Sequence, residues 1–457
     1  MSPALSQQLA GGSDTIVALA TAPGRGAISV VRMSGMQALA IAGKVVDPWP
    51  IEPRRVTLCR IVKPDRTRVL DQALVTCFVA PDSFTGEDLV EISGHGGHYV
   101  PALLMEALIS QGARLALPGE FTRRAVLNGK LDITQAEAIG DLVDARSDLM
   151  HQTALSQLDG GLSRRITALR NQLISLEALI AYDIDFPEED DGPIAPERIS
   201  SEVDLLLIGL DALLATVPLG EMIREGAIVV VAGVPNVGKS SLFNALLGQS
   251  RAIVTEIPGT TRDAIEGFLE TEKWPLRLVD TAGLRDATDT VEKIGVEISE
   301  KYLGWADVIL ACGDSDASMS AVLAAVERKS KARIIRVGTK ADLARSESVT
   351  ATDVVTSAET GQGLPELLTR IDSVLEESVG GMIVDTPILT RSRHIHGITQ
   401  ARAEVSEFGK AWKEKALPAP VAAVHLRAAA VFLESLIGAV STEDVLDRVF
   451  SSFCVGK

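Results

Sequence analysis

The sequence predicts a multidomain fold: α/β at its start, all-α in its centre, with a second α/β domain of P-loop type inserted into the helical part. Three observations predict it. The stretch Gly233-Val-Pro-Asn-Val-Gly-Lys-Ser240 follows an apolar run, Ala227 to Ala232, and leads into Ser241-Leu-Phe-Asn-Ala-Leu-Leu. Strand, glycine-rich turn and helix in that order form a phosphate loop. Leu155, Leu158, Leu162, Ile166, Leu169, Leu173, Leu176 and Ile180 recur at steps of three and four, a seam that predicts helix packed on helix. Short apolar runs near the start, bounded by turn residues, predict strands.

Composition narrows the class. A chain of 457 residues accommodates about three domains. No apolar run approaches the roughly 20 residues of a membrane span, and Met1 to Asp14 lacks the pattern of a signal peptide. Cys59, Cys77, Cys312 and Cys454 lie far apart, without metal-ligand or redox spacing. A cytoplasmic chain with reduced thiols is expected. The net charge of −17 argues against a broad nucleic-acid surface but leaves room for a local basic patch.

Taken in order, residues 1–130 read as the N-terminal α/β domain. Thr15 to Ala20 and Ala27 to Arg32 read as strands paired around the turn Pro23-Gly-Arg-Gly26, and Asp71 to Val79 and Asp88 to Ser93 as two more. Gly94-His-Gly-Gly97 is ambiguous, because His95 suits a packed or capping role as well as a catalytic one. Pro118 to Lys130 gathers three bases and an Asn. It reads either as a solvated helix start or as a pocket for an anion. Residues 131–220 read as the first part of the helical domain and 221–379 as the nucleotide domain. The second helical part follows over 380–457. Asp183 to Pro193 reads as a solvated acidic loop, and Ser441-Thr-Glu-Asp444 as a capping box opening a last short helix. Helices before and after the insertion have no obvious core except each other.

Nucleotide identity comes from residues downstream of the loop. Gly233 and Gly238 allow the tight turn that lets the backbone N–H groups of Asn236, Val237, Gly238, Lys239, Ser240 and Ser241 surround phosphates. Lys239 reaches the terminal phosphates and Ser240 can ligate Mg²⁺. Asp280-Thr-Ala-Gly283 ends another apolar strand, with a carboxylate for the Mg²⁺ shell and a Gly N–H for the γ-phosphate. Thr339-Lys340-Ala-Asp342 follows the run Ile334 to Val337. There Asp342 can accept hydrogen bonds from guanine N1–H and its 2-amino group, which adenine cannot supply. Ser357-Ala358 suits a backbone contact to guanine O6. The order and spacing predict a GTP-binding domain. Thr339 departs from the usual Asn, so weaker guanine affinity is expected while the specificity carboxylate remains.

Gly259-Thr260-Thr261-Arg262-Asp263 completes the site, with Thr261 as a second Mg²⁺ ligand and Thr255 in the loop before it. Leu284 stands where Ras-type GTPases carry a water-orienting Gln. Either the domain is a slow switch, or another residue orients the water, and Glu292 in a polar segment could swing in. Asn236 could hold a monovalent cation against the phosphates where other GTPases insert an arginine.

These segments together, with Ser83-Phe-Thr-Gly-Glu-Asp88, Leu127-Asn-Gly-Lys-Leu-Asp132, Gln135-Ala-Glu-Ala138 and the final Cys454-Val-Gly-Lys457, resemble the tRNA-modification GTPase family MnmE, also called TrmE, essentially end to end. The resemblance implies a homodimer through an N-terminal domain that binds a tetrahydrofolate derivative, 5-formyl or methylene, at Arg32, Glu91, Lys130 and Lys457. It implies K⁺ held by Asn236, Thr255, Ile257 and Thr260, and Glu292 orienting the water through a bridging water. It implies a role for Cys454 in the modification. An FAD-dependent MnmG (GidA) partner, in a heterotetramer, would join it in placing an aminomethyl-type group on C5 of the wobble uridine of tRNA. Two readings compete with this one. A ribosome-assembly GTPase would need a KH-type loop or a second G domain, and neither is found. A non-enzymatic GTP switch would not respond to K⁺.

Overall fold

The computed structural model describes residues 14–185, 196–249, 265–271, 273–280, 302–343, 351–379, 387–414 and 419–438, with 446, 449, 450, 453 and 456. The architecture is α/β plus helical, as the periodicities predict. Contacts divide the chain into two units, Met1–Gly140 with Glu434–Lys457, and Asp141–Leu433.

The first unit is built on β1 (Thr15–Leu19), β2 (Ile28–Ser34), β3 (Val46–Asp47), β4 (Thr57–Val62), β5 (Val69–Phe78), β6 (Leu89–His95) and β7 (Ala113–Leu115). They form one sheet in the order β3-β4-β5-β6-β2-β1-β7, antiparallel except for the β1–β7 pair. Helices α1 (Ala38–Val45) and α2 (Tyr99–Ile109) cover one face, where Val31, Met33, Val75 and Ile92 are buried with Ile41, Leu104 and Leu108. Side chains alternate along a strand, so Ile28, Val30 and Arg32 turn to the other face with Glu91, Ser93 and His95. On that face Leu58, Leu74 and Ile28 are 66%, 47% and 67% exposed.

Helices α3 (Glu120–Leu127) and α4 (Ile133–Asp144) follow. The bases of α3 are neither solvated nor open to an anion, because Arg123 and Arg124 are buried. Arg124 donates to Asp14 Oδ1 at 2.8 Å, to Glu120 Oε1 at 3.0 Å and to Glu87 Oε1 at 3.1 Å. Arg114 holds Glu120 and Asp14 from the other side. Burial pushes the Asp14 and Glu120 carboxyls up, but the two arginines outweigh it and hold both below the ordinary carboxylate range. A depressed carboxyl adds stability above its unfolded pKa of about 4, and that stability is lost as pH falls through the folded value. Breaking a mostly buried network strands charge, so Arg124→Met is expected to cost about 3 kcal/mol and to raise the pH of acid unfolding. Thermal melts between pH 3 and 7 check this. An unchanged melting temperature at pH 7 would show the network to be energetically idle.

The second unit contains α5 (Asp148–Leu158), α6 (Gly161–Asp185), α7 (Pro196–Leu214) and α8 (Val217–Glu225). After these come α9 (Lys239–Gln249), α10 (Asp316–Val326) and α11 (Leu364–Val379) around a sheet, then α12 (Ser392–Glu414) and α13 (Ala419–Ile437), the last of which runs past the unit boundary at Leu433. The leucine seam is interrupted. Leu162, Ile166, Leu169, Leu173, Leu176 and Ile180 are buried on α6, but the chain breaks at Asp159-Gly160 and Leu155 on α5 is exposed. Helices before and after the sheet do pack together. Gly409 on α12 lies against Val203 on α7, and Arg402 pairs with Asp211.

The stretch Pro196–Glu225 is, by length and composition, apolar enough to cross a membrane, contrary to the expectation that no run approaches that length. Its Val203, Leu206, Leu210 and Leu213 are buried within the protein.

The sheet runs β13-β12-β11-β8-β10-β9, from β8 (Ala227–Gly233), β9 (Ile265–Glu270), β10 (Pro275–Asp280), β11 (Val308–Gly313), β12 (Arg333–Gly338) and β13 (Val354–Val355). All pairs are parallel except β9–β10. Val229 and Val231 face one hydrophobic cluster, Val230 and Ile309 the other. Burial on both faces explains why these strands read as unbroken apolar runs.

Candidate active site

In a parallel sheet ligands bind beyond the carboxyl ends of the strands. Strand β8 is central, and its carboxyl end delivers Gly233 between the ends of β11 and β10. A Cβ on Gly233 would fall 2.8 Å from the Cys312 carbonyl oxygen, so the loop starts as close to its neighbour as glycine permits. Burial pushes the Cys312 thiol up to about 12, leaving it a packing group under the loop. Val237 is buried in the same core, Asn236 is exposed in the left-handed region (φ 62°), and Ser240 and Ser241 are exposed in the first turn of α9. Lys239 is 7% exposed, and its Nζ donates to Val234 O at 2.9 Å across its own loop. Asp280 ends β10, buried and in register with Val231. A hydroxyl at Ser240 and a carboxylate at Asp280 are hard oxygen donors, the set Mg²⁺ takes.

The segment after β12 is tied to this loop. Thr339 Oγ1 donates to Val237 O at 2.6 Å and Thr339 N to Gly313 O at 2.9 Å. Lys340 Nζ donates to Asn236 O at 2.7 Å. Thr339 therefore acts as a staple between base motif and phosphate loop, a task its hydroxyl performs without an amide. Ser357 Oγ donates to Asp342 Oδ1 at 2.5 Å, which orients an otherwise exposed carboxylate. Ser357 N is already bonded to Gln362 O at 3.0 Å, so of the two residues expected to contact guanine O6 its N–H is engaged. Gly283, Thr255, Ile257, Thr260, Thr261 and Glu292 lie outside the described residues.

In the first unit, Arg32 and Glu91 sit opposite each other across β2 and β6, with Arg32 Nε 2.9 Å and Nη2 2.8 Å from Glu91 Oε1. The guanidinium carbon lies 5.5 Å from the Phe84 ring centre and 5.8 Å from that of Phe121, positions suited to cation–π attraction. Lys130 reaches the same 81–87 segment, its Nζ donating to Pro81 O at 3.1 Å. Gly456 rests against Leu19, the residue after Ala18, which pairs with Arg32. Lys457 and Cys454 lie outside the described residues. A half-exposed guanidinium, an ammonium and a carboxylate bordering aromatic rings can grip a flat heterocycle that carries acid groups.

The family described as MnmE helical domain matches residues 133–454, and that described as GTP-binding protein TrmE N-terminus matches 15–130. A protein named tRNA modification GTPase MnmE from Moorella thermoacetica is 42% identical, over 97% of this chain and 99% of its own. The protein of the same name from Aquifex aeolicus is 41% identical, over 97% of this chain and 100% of its own. This chain belongs to the MnmE family.

Two features of this MnmE chain's nucleotide site escape sequence reasoning. Asp314, one residue past β11, forms an ion pair with Lys340 at 2.8 Å. Cys312 supplies the surface that admits only glycine at 233. An apolar run ending in Cys-Gly-Asp is the only local signal for either.

Proposed function

We propose that this MnmE chain is a K⁺-dependent GTPase which, with an FAD-dependent MnmG-type partner, modifies C5 of the wobble uridine of tRNA using a tetrahydrofolate one-carbon unit. That it is a GTPase follows from its family. The reading is carried by the stapling of the guanine segment to the phosphate loop through Thr339 and Val237, which sets base recognition and phosphate binding at a fixed spacing. The residues would divide the work as follows. Asp342, oriented by Ser357, accepts from guanine. Backbone N–H groups from Asn236 to Ser241 and the Lys239 ammonium neutralise the phosphates, Lys239 exchanging its bond to Val234 O for them. Ser240 and Thr261 hold Mg²⁺, which supplies charge stabilisation at the transferring phosphoryl group. Glu292 orients the attacking water.

An exposed Asn236 amide on a left-handed backbone fits a cation ligand, and Thr255, Ile257 and Thr260 would complete the set. Bound there, K⁺ supplies the positive charge that an arginine finger supplies elsewhere. Arg32, Glu91, Lys130 and Lys457 would hold the folate, and Cys454 would act in the modification. The exposed apolar side chains Leu58, Leu74 and Ile28 on the second sheet face support a homodimer of the N-terminal domain, since exposed apolar surface is stabilised by a partner. The proposed substrate, tRNA, goes with a cytoplasmic location.

Replacing K⁺ by Na⁺ is expected to slow GTP hydrolysis at least tenfold, and Glu292→Ala to slow it by about 10²-fold, the scale of a lost water-positioning group. Steady-state phosphate release measures both. Equal rates in the two salts would remove the cation from the mechanism, and an unaffected Glu292→Ala would move the water contact to another residue. Nucleoside analysis of tRNA from cells lacking the chain tests the tRNA step.

A further inference from the structure

The described residues contain four non-glycine positions with positive φ, and the two in the nucleotide domain are Asn236 (62°) and Lys340 (61°). They are the two ends of one hydrogen bond, Lys340 Nζ to Asn236 O at 2.7 Å. A left-handed lysine is disfavoured by about 1 kcal/mol and persists only where its surroundings hold it. Backbone bonds hold this one on both sides, Thr339 N to Gly313 O and Ala341 N to Thr356 O. The stem of Lys340 then runs along the phosphate loop, with its Cγ and Cε 3.9 Å from where a Cβ on Gly238 would stand. At its tip the ammonium meets Asp314 Oδ2 at 2.8 Å. Asp314 is itself fixed, since Ser318 Oγ donates to its Oδ1 at 3.2 Å and accepts from its N–H at 3.0 Å. Ser318 belongs to the capping box of α10, formed with Ser315. The hydrogen bond from Lys340 is the largest influence holding the Asp314 carboxyl below its ordinary range.

We propose that Asp314 is a positioning residue for nucleotide binding: anchored on the α10 cap, it holds the Lys340 side chain across the phosphate loop so that loop and guanine segment stay in register. The inference rests on the GTP reading of this site and adds a residue to it. Asp314 touches no nucleotide atom and acts through Lys340. A chain α10 cap, Asp314, Lys340, Asn236 O thus parallels the Thr339 staple, and the two together brace the loop at Asn236 and Val237.

Asp314→Asn keeps the shape and the Ser318 contact while removing the charge, so it tests the ion pair without emptying the site. Release of a fluorescent GDP analogue from the full chain is expected to quicken about tenfold, the size of one charge-assisted hydrogen bond. KM for GTP should rise similarly, with kcat changing less than twofold. Asp314→Glu should restore slow release at least in part. Lys340→Met should weaken binding by itself, and adding Asp314→Asn to it should have no further effect, since the two act as one unit. Wild-type release rates in Asp314→Asn, or additive losses in the double variant, would overturn the proposal. A wild-type chain that binds no guanine nucleotide would instead overturn the GTP reading beneath it.

Discussion

Asp342→Asn is expected to weaken GTP binding by about 10²- to 10³-fold and to create a preference for xanthosine triphosphate. Guanine presents N1–H and a 2-amino group side by side, and only an acceptor pair such as a carboxylate meets both. Ser357 Oγ, 2.5 Å from Asp342 Oδ1, and the bond from Ala341 N to Thr356 O fix that carboxylate before nucleotide arrives, so little ordering entropy opposes the contact. Hydrogen bonds to a charged group contribute about 1.5–3 kcal/mol each. Two of them give roughly 3–6 kcal/mol; the amide keeps one acceptor oxygen, so a loss of about 3–4 kcal/mol remains, which is the stated fold-change at 1.4 kcal/mol per factor of ten. Xanthine replaces the 2-amino donor by a carbonyl, so an amide at 342 pairs with it and a carboxylate repels it. Calorimetry with both nucleotides checks the exchange. Binding of GTP at wild-type strength would show that Asp342 faces away from the base and that some other group selects guanine.

Features set by short-range chemistry were legible in the sequence. The phosphate loop is one, because a strand, two glycines, a lysine and a serine meet their demands within a dozen residues. The buried strands are another, since two-sided burial leaves an unbroken apolar run at Val229 to Val231 and Val308 to Cys312. What was not legible depends on partners far along the chain. Arg124 reads as a surface base until Asp14 and Glu87, 110 and 37 residues away, close on it. Thr339 reads as a weakened guanine motif until its hydroxyl is seen on Val237 O, 102 residues away. The same holds for Asp314 and Lys340, 26 residues apart. Strand β4 is not legible because one face is open and carries Leu58 and Arg60, so its pattern lacks a clear polar side. The break in the helical seam is not legible either, since an i, i+3, i+4 count passes through Gly160 although its φ of 80° ends a helix.

Removing Cys454 to Lys457 is expected to abolish tRNA modification and to weaken folate binding at least tenfold, while GTP hydrolysis continues. A terminal tetrapeptide is ordinarily frayed and dispensable. Here the residues leading to it are pinned. Phe450 is buried with Ile133, Ala136 and Leu446, and its ring stands 5.4 Å from that of Phe453. Both phenylalanines close on Gly119, where a Cβ would come within 3.1 Å of each. Gly456 then adopts φ 99°, and a Cβ there would fall 2.3 Å from Leu19 O, so Gly456 passes β1 at a distance only glycine allows. Leu19 and Val31 are paired, and Ala18 and Arg32 beside them, which places Gly456 one strand from the Arg32–Glu91 pair. An ammonium at Lys457 and a thiol at Cys454 delivered there would meet a folate gripped by Arg32 and Lys130. Three measurements on the truncated chain decide it: calorimetry with 5-formyl-tetrahydrofolate, phosphate release from GTP, and nucleoside analysis of tRNA. Gly456→Val should act like the deletion, since it displaces the tail without removing Lys457 or Cys454. A truncated chain that still binds the folate and still modifies tRNA would make the docked tail a packing element alone.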